Sequence, residues 1–282
     1  MEEIRKEKVI TEIKRGRKNL VVALVGAIVA INLMVFATTS QSDALVAGSD
    51  LSRILTVGAA AVISVIVVAR QNVSGIFGRA YLALAAGLIL WLAAESVWGY
   101  YELVLQIERP FPSIADALWL SAYGPIGFHL FSMARFYGRG VGRYKVAAVI
   151  AGMSIFMGLY IIELAGVTQL QGADADLAIA ISIAYPLLDT ALFMPAILIV
   201  LNSGKGYLTS VPWIFIGWIA LGIADTLLGV AQVQNFDGDL FLINAFYVIA
   251  YLAMAAGLWW YNKFFIFDKA KFGNNSIKSA VG

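Results

Sequence analysis

Cysteine is absent from the 282 residues. That excludes a disulfide framework, a thiolate metal site and a cysteine nucleophile. Histidine occurs once, as His129, so a single chain cannot build a multi-histidine metal site. Charged residues make up 13% of the chain and hydrophobic residues 61%. A soluble domain carries roughly 25% charged and about 45–50% apolar residues. Catalytic signatures are missing too: there is no phosphate-binding loop, no paired-histidine zinc helix, no GxSxG elbow and no GxGD aspartyl-protease motif. No catalytic residue, metal or cofactor is expected, and an enzyme is disfavoured. The formal net charge of +2 says little; where the charges sit says more.

The apolar excess is organised in runs of about 20 residues, enough to cross a hydrocarbon core of roughly 30 Å. The first run, Leu20 to Thr38, follows a basic segment at 1–18. It is longer than the roughly 7–15 residues of a signal-peptide core, which predicts an uncleaved span. Further runs cover about 52–70, 80–104, 113–136, 146–166, 177–201, 211–232 and 241–262. Eighteen of the 20 basic residues fall on the N-terminal side of these spans, and only Arg53 and Arg109 on the other. Asp43, Asp50, Glu108, Asp174, Asp176, Asp237 and Asp239 are assigned to the opposite loops. By the positive-inside rule both termini are cytoplasmic, in a multi-pass protein of the cell membrane.

The two halves match. Ala94-Glu95 and Gly99 recur as Ala224-Asp225 and Gly229, and Gly87 recurs as Gly217. After a small gap Asp116, Trp119 and Tyr123 recur as Asn244, Tyr247 and Tyr251. The expected fold is therefore an all-α polytopic membrane protein with eight transmembrane helices, as two tandem four-helix repeats in the same orientation. The expected divisions are a basic cytoplasmic segment at 1–18, repeats at 19–138 and 139–266, and a flexible cytoplasmic tail at 267–282.

Six carboxylates remain inside the spans: Glu95, Glu102, Asp116, Glu163, Asp189 and Asp225. A charge at a span centre costs roughly 2.5–3.5 kcal/mol on insertion scales, so such groups face the bundle interior and need partners. Glu95 shares a helical stripe with Trp91 and Trp98, Asp116 with Trp119 and Tyr123, Asn244 with Tyr247 and Tyr251, and Tyr185 with Asp189. These spacings predict an outward-facing polar pocket lined by Glu95, Asp116, Tyr123, Tyr185, Asp189, Asp225, Asn244 and Tyr251. Two readings of the set stand side by side at this point: interhelical hydrogen bonding and a functional ligand site. Asp116 lies just after Pro112-Ser113, where a carboxylate also serves a helix N-terminus. Glu102 is expected near the outer interface, and His129 is expected to be a satisfied bundle histidine.

The segments AESVWGYYELV, PFPSIADALWLSAYGP, AYPLLDTALF and IADTLLGVAQ with AFYVIAYLAMAAG resemble the multi-span membrane input region of archaeal and bacterial sensor proteins. In that family the region precedes a histidine kinase or a GGDEF diguanylate cyclase domain. The resemblance implies a stand-alone sensor-type, ligand-binding or partner-binding bundle, here with about 20 residues after Tyr261 and no output domain. A weaker similarity, in GIADTLLGV and YLAMAAGL, links the chain to eight-span lysoplasmalogenase-type membrane hydrolases. It implies Asp189 and Asp225 as acid/base groups. A small-solute or cation transporter is the other alternative. The expected partners are the lipid bilayer, a small ligand or cation from the outer side, and a membrane or cytoplasmic signalling protein. No nucleic acid is expected.

Overall fold

The computed structural model describes residues 42–71, 73–107, 111–137, 141–167, 173–202, 211–233 and 241–263, with scattered positions before residue 32. The first expected run and the tail at 267–282 lie largely or wholly outside the described residues. All regular structure among the described residues is helical: α1 (Ser42–Gln71), α2 (Gly75–Leu103), α3 (Ile114–Tyr137), α4 (Arg143–Val167), α5 (Ala173–Asn202), α6 (Val211–Val233) and α7 (Phe241–Tyr261). A helix satisfies its own backbone donors and acceptors, which a lipid-facing segment must do. Five of these helices are long and apolar enough to cross a membrane: α1, α2, α4, α5 and α7. The chain is a multi-pass helical membrane protein. Prolines 125, 186 and 195 lie within α3 and α5 without ending them, as neighbouring helices permit in membrane bundles.

Six helices close a ring. α1 packs on α2, α2 on α3, α3 on α5, α5 on α6, α6 on α7, and α7 returns to α1. α4 lies outside, against α5 and marginally α6. The apolar core draws on the ring helices alone, while α4 leaves Ile155, Leu159 and Ile162 exposed, as lipid-facing residues are. Cross-helix hydrogen bonds fix directions. Asp116 and then Tyr123 on α3 meet Tyr185 and then Asp189 on α5, so these two helices run parallel. On α7 and α1, Asn244 then Tyr247 meet Ser49 then Arg53, with the same sense.

Two glycines set the closest approaches. A Cβ at Gly87 would lie 2.5 Å from Ile126 Cγ1 and 3.5 Å from the Ala122 carbonyl oxygen, on α3. A Cβ at Gly217 would lie 2.6 Å from Met254 Cγ and 2.8 Å from the Ala250 carbonyl oxygen, on α7. Ile126 and Met254 are 128 residues apart, as are Ala122 and Ala250, and as are Asp116 and Asn244. The α2–α3 and α6–α7 pairs thus approach most closely in the same way, a glycine of the earlier helix against residues of the later one spaced alike along the chain.

One expectation is corrected. The hydropathic run begins near residue 52, which assigns Asp50 and Arg53 to the outer loop and span end. α1 instead starts at Ser42, and both side chains are buried, Asp50 2% and Arg53 7% exposed. Their opposite charges, one helical turn apart, let both enter the bundle as a pair.

Candidate functional site

The polar side chains gather towards one end of the ring, where α1, α3, α5 and α7 begin. At the opposite, basic end Arg70 of α1 bonds Asn262 just beyond α7. Each group has a local reason to be where it is. Ser113 is the last residue before α3; its hydroxyl accepts from the Ala115 N–H at 3.2 Å, and its own N–H donates to Asp116 Oδ2 at 2.7 Å. This reciprocal cap satisfies two orphan donors of the helix start. The other oxygen of Asp116, Oδ1, accepts from the Tyr185 hydroxyl of α5 at 2.9 Å. Asp116 therefore serves the start of α3 with one oxygen and the neighbouring helix α5 with the other.

A second bond joins the same helices. Tyr123 donates to Asp189 Oδ1 at 2.6 Å. Across the ring, Tyr251 of α7 donates to Glu95 Oε1 of α2 at 2.7 Å, and Asn244 donates to Ser49 of α1 at 2.9 Å. Arg53 pairs with Asp50, lies 3.7 Å from Glu95 Oε2, and stacks its guanidinium over the Tyr247 ring at 5.9 Å. Tyr247 in turn donates to Asp225 Oδ1 at 2.5 Å. All eight residues expected in the polar site thus reach another helix or its cap. Glu95, Asp116, Tyr123, Asp189 and Tyr251 are buried, and Tyr185, Asp225 and Asn244 partly so.

Aromatic rings line this polar layer. Trp91 stands 5.9 Å from Tyr123 and 5.6 Å from Trp218, and Trp98 stands 5.5 Å from Trp119. On α6, Asp225 lies between two bare stretches of backbone. A Cβ at Gly222 would meet the Phe193 ring at 1.9 Å, and one at Gly229 would meet the Tyr160 hydroxyl at 2.3 Å. Phe193 and Tyr160 therefore pack against α6 about one turn before and one turn after Asp225.

Charge is out of balance. Asp50, Glu95, Asp116 and Asp189 are buried and Asp225 is partly buried. Arg53 is the only buried arginine or lysine among the described residues. Desolvating that many carboxylates against one guanidinium is costly unless protons or further positive charge neutralise them. No group of three or more histidine or acidic side chains among the described residues could hold a metal ion.

Sequence reasoning misses Ser49, Asp50 and Arg53, and leaves Tyr247 out of the site. The signal for the first three is the need of the in-span acids for a cation, met by an arginine three residues after an aspartate. His129 is fully buried; its Nδ1–H donates to the Ala80 carbonyl at 3.0 Å, and its ring stacks 6.2 Å from Phe215. The side chain of Glu163 lies outside the described residues.

No family model, curated protein or solved structure matches this chain.

Proposed function

We propose that the protein is an eight-span bundle of two tandem four-helix units, 19–138 and 139–266, in one orientation. Its acidic, tyrosine-capped interior opens away from the cytosol and binds a small cationic ligand. The protein works as a stand-alone sensor-type or partner-binding module.

The ring supports the duplication. Rotating it by three places takes α1, α2 and α3 onto α5, α6 and α7 and reproduces every contact in the same order. An inverted repeat would reverse that order. The parallel pairs, α3 with α5 and α7 with α1, fit a two-fold axis along the membrane normal, as in repeats of like topology. Under this reading α4 corresponds to the first span, Leu20 to Thr38. The gathering of basic residues at one end fits cytoplasmic termini.

The ligand reading is carried by the charge imbalance: five carboxylates, one guanidinium, and tyrosine hydroxyls that each occupy a single carboxylate oxygen. A site of fixed acids and aromatic faces attracts cations. The test uses the purified full-length chain in detergent, titrated at constant ionic strength with sodium, calcium, ethylammonium and choline chlorides. At least one cation is expected to raise the unfolding midpoint, reaching about 2.7 kcal/mol of stabilisation at roughly 100 times its dissociation constant. A midpoint indifferent to every cation would refute the reading.

A further inference from the structure

The two units differ in charge at one of their paired positions, and that difference points to a ligand. Under the duplication proposed above, Asn244 corresponds to Asp116, and their partners across the ring are Ser49 and Tyr185. Ser49 therefore corresponds to Tyr185. One helical turn further on, Arg53 corresponds to Asp189. Glu95 corresponds to Asp225. In the first unit the resulting pair is Arg53 with Glu95, opposite charges 3.7 Å apart. In the second unit it is Asp189 with Asp225, two carboxylates on the packed helices α5 and α6.

We infer that the Asp189–Asp225 pair binds a small N–H-bearing organic cation, an alkylammonium or guanidinium group, which takes the place that Arg53 fills in the other unit. This rests on the duplicated, cation-binding reading above. Unfilled acceptors carry it first. Asp189 is 6% exposed, and Tyr123 is its only hydrogen-bond donor among the described residues. Asp225 gives Oδ1 to Tyr247, and its Oδ2 is shut off from solvent with no donor among the described residues. Each carboxylate therefore has one oxygen that no donor among the described residues fills.

The surroundings suit an organic cation better than a metal ion. Arg53 rests over the ring of Tyr247, and the corresponding position in the other unit is Trp119. Phe193 and Tyr160 flank Asp225, seated on Gly222 and Gly229. Aromatic faces attract cations and exclude the water that a metal ion would carry. Asp225, Tyr160 and Tyr185 remain partly exposed towards the acidic end. The acceptors also set a preference. A quaternary ammonium has no N–H to give Asp189 or Asp225, so it leaves both oxygens unpaired, and desolvated unpaired acceptors are costly.

The test again uses the full-length chain in detergent, with ethylammonium and methylguanidinium chlorides as probes and tetramethylammonium and sodium chlorides as controls. One or both N–H-bearing ions are expected to raise the unfolding midpoint, while the controls at equal ionic strength do not. Asp225→Asn and Asp189→Asn are expected to weaken the response by roughly 30-fold or more in dissociation constant, the loss seen when one partner of a buried charge pair is removed. A third variant guards against misfolding. Asp189→Lys supplies the cation from within, so it is expected to unfold at a higher midpoint than the parent without any amine, and to lose the response. An amine response intact in both Asn variants overturns the inference, and so does equal stabilisation by tetramethylammonium. A cation response abolished by Glu95→Gln but kept in Asp225→Asn overturns this assignment and leaves the wider cation-binding reading standing. Silence towards every ion overturns both.

Discussion

Arg53→Met is expected to destabilise the protein by about 3–5 kcal/mol, the range for removing one partner of a buried ion pair. Arg53 is 7% exposed, and its guanidinium serves two carboxylates at once, Asp50 one turn back on α1 and Glu95 across on α2. Methionine has much the same volume, so the loss is of charge rather than packing. Without Arg53, two desolvated acids face each other with only tyrosine and water-poor surroundings to answer them. Pairing the change with Glu95→Gln removes the uncompensated acid and is expected to recover part of the loss. The coupling in the resulting double-mutant cycle is expected to be on the order of 1–3 kcal/mol. Reversible unfolding in mixed micelles measures both quantities. A cost for Arg53→Met below about 1 kcal/mol would place the pair among weak surface ion pairs and contradict the burial.

The second large effect is steric. Gly217→Ala is expected to cost about 3 kcal/mol, and Gly87→Ala about 1 kcal/mol, although both glycines sit at close approaches between neighbouring helices. The difference lies in what the new methyl meets. At Gly87 the nearest atoms belong to the Ile126 side chain, which can turn, and the Ala122 carbonyl stands back at 3.5 Å. At Gly217 the methyl meets backbone on α7, the Ala250 carbonyl oxygen at 2.8 Å and the Met254 nitrogen at 3.2 Å. Backbone can yield only by moving the whole helix. Equal costs, or a larger one at Gly87, would show that the α6–α7 approach is looser than these distances indicate.

The polar stripes are legible in the sequence because helical spacing is a local property. Glu95 with Trp98, or Tyr185 with Asp189, share a face whatever surrounds them. Which stripe meets which is not legible. Periodicity assigns a side chain to a face but not to a neighbour, so the pairing of Tyr251 with Glu95, or of Tyr123 with Asp189, needs coordinates. Asp50 and Arg53 escape for a related reason. A charged residue at the edge of an apolar run looks interfacial, and only the carboxylate of Glu95, far along the chain, shows that Arg53 turns inward. The peripheral place of α4 leaves no mark either, since a helix bathed in lipid and one buried among helices are both apolar all round.

The bonds across the ring carry a last consequence. Tyr185 to Asp116, Tyr123 to Asp189, Tyr251 to Glu95 and Asn244 to Ser49 each tie a helix before residue 138 to one after it. Each piece serves some of its own acids, Arg53 answering Asp50 and Glu95 in the first and Tyr247 answering Asp225 in the second, but neither supplies the donors that Asp116, Glu95 and Asp189 take from the other. Severed between α3 and α4, the molecule is expected to reassemble from co-expressed fragments and to yield nothing stable from either one by itself. Under the duplication proposed above, a lone progenitor of such a unit is expected to have been a two-fold homodimer, each copy lending tyrosines to the other's carboxylates, with fusion turning a shared seam into a private one.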